Sequence, residues 1–222
     1  MVMATVSSMS SLNSHISRVV IRLESEMNYR SGQYVQVILK CGRSGYFSIA
    51  SPEKTGRMIE LHIADTRKPN GFLKKLKVSD SVAVVGPMGE AWLRSDNSKS
   101  VIVLAFGSGY SYARSILLTE ANRNSDRRVS FYWAVRSEND FYERDILESL
   151  PKRISINLHL LNQESNSLSG IGALLTKLSY THTCLADHDV YLVGKRDVCL
   201  FIRREICEKL GAKSERVYSD SF

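Results

Sequence analysis

The chain has 222 residues, 43% of them hydrophobic and 24% charged. That balance excludes intrinsic disorder and a disulfide-held miniature scaffold, and leaves room for one large or two small cores. Thirty Lys and Arg against 23 Asp and Glu give a net charge of +7, which attracts nucleic acid, acidic surfaces or phosphorylated cofactors; because the basic residues are spread out and form no patch interleaved with aromatics, a cofactor is favoured over nucleic acid.

Up to residue 98 the chain alternates apolar and polar residues in short runs: MATVSS, ISRVVIRL, QYVQVILK, YFSIAS, MIELHIA and SVAVVG. Turn formers separate them, so the pattern predicts six short strands in a small antiparallel barrel or sandwich. NGFLKKLK at 70–77 is the one helical interruption, with Phe72, Leu73 and Leu76 on a single face. GPMGEAWLRSDNSKS at 86–100 then reads as a linker.

From residue 100 the period changes. Apolar strands at 101–105, 129–134, 154–160 and 189–193 alternate with helical stretches at 110–122, 139–150, 170–179 and 196–210, the pattern of crossover units and a parallel sheet. The predicted fold therefore has two domains: an antiparallel β-barrel over 1–98 and an α/β domain over 99–222. The first crossover begins VIVLAFGSGYSYARSILL, which puts Gly107, Ser108 and Gly109 at a strand-to-helix turn, where free backbone N–H groups can hold a pyrophosphate. A full dinucleotide fingerprint has another glycine where this chain has Tyr112. The second strand of this half ends in Ala134-Val135-Arg136-Ser137, with no acidic residue for a ribose 2′-hydroxyl; Arg136 is either a 2′-phosphate ligand or a solvated loop arginine.

Cys41, Cys184, Cys199 and Cys207 are too scattered for an iron–sulfur cluster and read as reduced thiols. HTCLADH at 182–188 reads as turn and core residues, and no metal is expected. No apolar run reaches the roughly 18 residues of a membrane span, and the Ser-rich start lacks a basic segment followed by an apolar core. The expected location is the cytoplasm, with no membrane partner.

SGQYVQV at 31–37, FSIAS at 47–51, IELHIA at 59–64, GEAWLR at 89–94, GSGYSYARSILL at 107–118 and VYSDSF at 217–222 together resemble the bacterial NAD(P)H:flavin oxidoreductases, the Fre and LuxG type within the ferredoxin-NADP reductase superfamily. The resemblance runs nearly end to end. It implies a flavin-binding barrel followed by a nicotinamide-binding α/β domain, with the flavin ring in the cleft between them. It places Phe47 beside that ring, Ser48 near N5, the hydride-accepting atom, and Tyr46, His62, Ile63 and Ala64 around the flavin. Gly107, Ser108, Gly109, Arg136 and Gly194 fall on the nicotinamide side, and Phe222 is the terminal aromatic that borders it. The implied activity is hydride transfer from NADPH or NADH to FMN, FAD or riboflavin, the flavin behaving as substrate and passing to a flavin-dependent monooxygenase, luciferase or ferric acceptor. Four features depart from the family pattern: Gly45 replaces an arginine that holds the flavin's ribityl or phosphate group, Phe106 replaces a glycine, Lys195 stands where proline or arginine is usual, and the region around 65–76 is short. They define the alternative of a reductase-fold protein that binds a flavin, nucleotide or protein partner without efficient turnover.

Overall fold

The computed structural model describes residues 1–64, 71–161 and 167–221. In the first half, β1 (Val2–Ser11), β2 (Ile16–Leu23), β3 (Tyr34–Leu39), β4 (Ser44–Ser48), β5 (Met58–Ala64) and β6 (Ser81–Met88) form one antiparallel sheet in the order β4-β3-β6-β1-β2-β5. A bridge between Ile49 and Leu61 joins its two sides, so the sheet closes into a barrel and hides its edges. The alternation seen in sequence is what fills the barrel: Val19 and Ile21 from β2, Val35 and Val37 from β3 and Val84 from β6 are wholly buried together. Each such side chain contributes about 1.5–3 kcal/mol by leaving water.

Two expectations change here. The helix expected over 70–77 is a single 3₁₀ turn, Leu73–Lys75; Leu76 is buried in the barrel core, and Phe72 and Leu73 pack against it. Those contacts hold one turn, too short to repay helix nucleation as a longer element would. The expected linker also begins later, because β6 continues through Met88 and pairs there with Tyr34 of β3.

In the second half, β7 (Ser100–Phe106), β8 (Val129–Val135), β9 (Ile154–Leu160), β10 (His188–Val193) and the two-residue β11 (Val217–Tyr218) form a sheet in the order β11-β10-β7-β8-β9, every pair parallel. Helices α1 (Tyr110–Ala121) and α2 (Arg144–Glu148) cover one face; α3 (Ser167–Thr181) and α4 (Arg196–Leu210) cover the other. The continuous apolar run of β7 follows from burial on both faces. Among the described residues no helix is long and apolar enough to cross a membrane.

The helix expected over 139–150 is broken. Ser137 and Asp140 form a capping box around a 3₁₀ turn, Glu138–Asp140, and α2 starts only after Glu143, whose backbone is left-handed at φ 55°. Helix α1 is buried nearly all round, because one side meets the sheet and the other meets the barrel. Tyr112 donates to the carbonyl of Ala91, Ser31 and Thr119 share a hydroxyl hydrogen bond of 2.6 Å, and Arg114 donates to the carbonyl of Ala50 at 2.9 Å.

Candidate active site

A cavity of about 1130 Å³ opens between the barrel and the carboxyl ends of the parallel strands. Strand β7 lies between β10 and β8, with Leu104 opposite Leu192 and Ala105 opposite Val193; the chain leaves β7 towards β8 and returns on the other side at β10. Such a reversal of strand order is where open α/β sheets hold ligands. Tyr46, Phe47, Ser48, His62 and Ala64 line the barrel wall, and Phe106, Gly107, Ser108, Gly109, Ser111, Arg136, Gly194 and Lys195 line the opposite wall.

The α/β wall is built largely from backbone. Gly107 takes φ +56° with nothing within 4 Å of the place a Cβ would occupy, so its outer face is open. Its carbonyl accepts a hydrogen bond from Trp133 Nε1 at 2.9 Å, and Trp133 is stacked on Tyr110, the first residue of α1, with 4.3 Å between centroids. This anchors the turn while leaving the N-terminus of α1 facing the cavity, a natural anion site. Gly109 serves a different contact: a Cβ there would meet the Val193 carbonyl at 3.0 Å, so this glycine allows the turn to lie against β10. Gly194 likewise accommodates Phe106, whose Cβ would be 3.1 Å from an added Cβ. The large ring that replaces glycine at 106 thus packs on Gly194 and on the apolar layer beneath α3 and α4. Tyr112, where the fingerprint has glycine, is buried and meets the barrel side at Gly32, where an added Cβ would be 3.0 Å from its ring. Arg136 and Lys195 are exposed on the rim and give this wall a positive character.

Side chains make the barrel wall. Ser48 is half-buried at the end of β4, in register with Tyr34. Phe47 packs on Phe72 with 4.9 Å between centroids. At Gly45 a Cβ would lie 2.5 Å from Phe47 Cζ, so the Phe47 ring occupies the space into which a longer residue at 45 would project. Tyr46 is 63% exposed and edge-on to Tyr34 at 6.1 Å. Ile63 departs from its expected place: it is buried in the barrel core and is not among the cavity-lining residues, because alternation along β5 turns it away from the face that His62 and Ala64 share with the cavity. Phe222 lies outside the described residues. The tail just before it is pinned: the Asp220 carboxylate accepts from the N–H groups of Glu90 at 2.8 Å and Ala91 at 3.2 Å, and Ser221 Oγ donates to the Gly194 carbonyl at 3.0 Å.

Ser111 and Asp140 also line the cavity and went unnoticed in the sequence. Ser111 could have been found, since it is one helical step past the Gly-Ser-Gly turn; Asp140 carries only a capping signature.

Behind His62 lies a buried charge cluster. Glu60, His62 and Glu143 offer ligand atoms within 4.8 Å of one another, but both carboxylates already face guanidinium groups. Arg18 Nε is 2.9 Å from Glu60, Arg114 Nε is 2.7 Å from Glu143 and Arg114 Nη2 is 3.4 Å from Glu60, while Arg18 also pairs with Glu143. Two cations balance two anions, so the chemistry here is that of an ion-pair network, not of a metal centre. Burial pushes the Glu60 carboxyl up, yet the His62 hydrogen bond and the charges of Arg114 and Arg18 outweigh it and hold the pKa at about 2.

Residues 103–204 match the family model described as an oxidoreductase NAD-binding domain. Over almost its whole length the chain is similar to a probable flavin reductase of Vibrio harveyi, at 30% identity with 95% of this chain and 94% of the relative covered. It is 28% identical to an NAD(P)H-flavin reductase of Aliivibrio fischeri, with 98% and 96% covered. Among solved structures, the ferredoxin-NADP⁺ reductase of Plasmodium falciparum superposes with a TM-score of 0.81 at 18% identity, covering 99% of this chain and 95% of that one. The barrel and the parallel sheet thus have the fold of ferredoxin-NADP⁺ reductase. Within that fold class, the chain belongs to the flavin reductase family.

Proposed function

We propose that this protein reduces a flavin with NADPH or NADH and that its two walls divide the work, residues 1–98 holding the flavin and 99–222 the nicotinamide nucleotide. The observation that carries this is the placing of Ser48 and the Gly107–Gly109 turn on facing walls of one cavity. The residues present fit both groups: an aromatic surface and a hydroxyl on one side, open backbone N–H groups at a helix start on the other, and a volume somewhat above the roughly 300–1,000 Å³ of a single small-ligand site. Bound together, the nucleotide would supply a hydride for the flavin to accept, with the single proton that completes the reduction coming from solvent.

The chain's own task is positioning, because hydride transfer requires reacting atoms held about 3–3.5 Å apart and little acid–base chemistry. Phe47 offers a packing surface of low entropic cost, and the Ser48 hydroxyl orients the ring's acceptor edge. Gly107, Ser108, Gly109 and Gly194 hold the pyrophosphate and nicotinamide ends of the nucleotide, and Arg136 on the rim favours NADPH through its 2′-phosphate. Because Phe47 fills the space beyond Gly45, recognition centres on the flavin ring, and riboflavin, FMN and FAD all serve. Reduced flavin then leaves for a monooxygenase, luciferase or ferric acceptor. The alternative of binding without turnover is not favoured: Phe106 is seated on Gly194, and the Gly107 face remains open.

Anaerobic absorbance of the protein with each flavin and each nicotinamide tests this. Protein-dependent bleaching of the flavin band is expected, faster with NADPH than NADH. Ser48→Ala should slow it by about 2- to 10-fold, the value of one neutral hydrogen bond of about 0.5–1.5 kcal/mol. Absence of bleaching with every pair, from folded protein, would reject the assignment.

A further inference from the structure

We infer that Tyr142 is a positioning residue that ties the flavin wall to the nicotinamide wall, acting through His62 on one side and Trp133 on the other, with Glu143 locking it in place. The inference rests on the reductase reading above.

His62 lines the cavity, yet its side chain is only 1% exposed and both ring nitrogens are engaged. Nε2 lies 2.8 Å from a Glu60 carboxylate oxygen, which when ionised can only accept, so Nε2 carries a proton. Nδ1 is in turn hydrogen-bonded to the Tyr142 hydroxyl, 3.2 Å away, the direction of that bond following the protonation of the ring. Glu60 belongs to the barrel and Tyr142 to the α/β half, so the imidazole is gripped once from each side. With both nitrogens occupied, the His62 ring is fixed in place just behind the cavity surface.

Tyr142 also reaches the other wall. Its buried ring stands edge-on to Tyr110 at 5.0 Å and to Trp133 at 5.3 Å, and Trp133 holds the Gly107 carbonyl. A continuous set of contacts therefore runs from His62 through Tyr142 and Trp133 to the turn at Gly107. These are the two surfaces whose separation governs hydride transfer.

The backbone supports the same conclusion. Glu143 sits in the left-handed region at φ 55°, ψ 37°, a conformation that a residue with a Cβ adopts only when its surroundings impose it. Those surroundings are Arg114 of α1 and Arg18 of β2, which hold its carboxylate from opposite halves. With Glu143 locked between them, the preceding Tyr142 has little freedom to leave His62.

Tyr142→Phe tests the inference, since it removes only the hydroxyl and leaves the ring in its aromatic cluster. Single-turnover flavin reduction with NADPH should fall about 2- to 10-fold, the loss of one neutral hydrogen bond, while the thermal midpoint and the flavin Kd stay near wild type. His62→Gln can keep an N–H for Glu60 but puts no polar atom at the Nδ1 position that faces Tyr142, so the double variant should be little slower than the slower single one. A Tyr142→Phe protein that reduces flavin at the wild-type rate, or losses that simply multiply in the double variant, would overturn the inference while leaving the reductase reading intact. Wild-type protein that transfers no hydride would instead remove the reading on which it rests.

Discussion

The two walls of the cavity are built by different means. The α/β wall relies on backbone: an open left-handed glycine, a helix start, and two further glycines that allow strands and turn to touch. The barrel wall relies on side chains, chiefly Phe47, Ser48 and His62. Backbone devices tolerate little change because each depends on the lack of a Cβ. Side-chain devices can be rebuilt, and at Gly45 this chain departs from the arginine that the family resemblance leads one to expect, while Phe47 keeps the expected aromatic. The difference predicts that substitutions on the α/β wall cost activity sharply, whereas those on the barrel wall retune which flavin is used.

The largest effect should come from Gly109→Ala. Its Cβ would press on the Val193 carbonyl and side chain at 3.0 Å, and overpacking of this kind costs about 1–3 kcal/mol. A rise of about 5- to 150-fold in the nicotinamide Kd is expected, with flavin affinity unchanged. Equal loss of both would mean that the walls are not independent in binding and would break the comparison.

An acid titration probes what joins the walls. The Glu60 carboxyl has a pKa of about 2 in the folded protein against an ordinary 4.5, so it binds its proton more weakly folded than unfolded. Its contribution to stability is complete above pH 4.5 and is lost as the pH falls from 4.5 towards 2. Since its partners Arg18, His62 and Arg114 come from both halves, near-ultraviolet circular dichroism of the interface aromatics should change in this window. Glu60→Gln should be less stable at pH 7 and should show a weaker pH dependence between 4.5 and 2. An unchanged acid profile in that variant would show that Glu60 does not link the halves energetically.

Much of this architecture was legible in the sequence because burial imposes period. Alternation marked the six barrel strands, and fully apolar runs marked the parallel ones. What was missed depends on contacts between distant segments. β11 has only two residues and owes its pairing to β10. The break at Phe141-Tyr142-Glu143 follows from arginines 29 and 125 positions away from Glu143, which no local pattern reports. Tyr112 looked like a defect in a glycine fingerprint, but that helix position faces the barrel and the linker, where a large side chain is needed. Of the candidate site, the Gly107–Gly109 turn was legible from local pattern, since a glycine turn after an apolar strand is local, whereas Phe47, Ser48 and His62 were reached only through the family resemblance. The exception, Ile63, shares its motif with His62 and Ala64 but points the other way, as strand alternation requires.

The smallest effect should come at the one place where the barrel wall was rebuilt. Gly45→Arg requires the Phe47 ring to swing away from Phe72, since the new Cβ would otherwise lie 2.5 Å from Cζ. Losing that aromatic contact costs about 0.5–1.5 kcal/mol, which weakens riboflavin binding by about 2- to 10-fold. An arginine paired with a flavin phosphate returns about 1.5–3 kcal/mol, so FMN binding should range from unchanged to about 70-fold tighter. The expected result, read by flavin fluorescence titration, is therefore a crossover in preference from riboflavin towards FMN with little change in maximal rate. If riboflavin and FMN shift together, position 45 does not contact the flavin tail, and the retuning assigned to the barrel wall lies elsewhere on it.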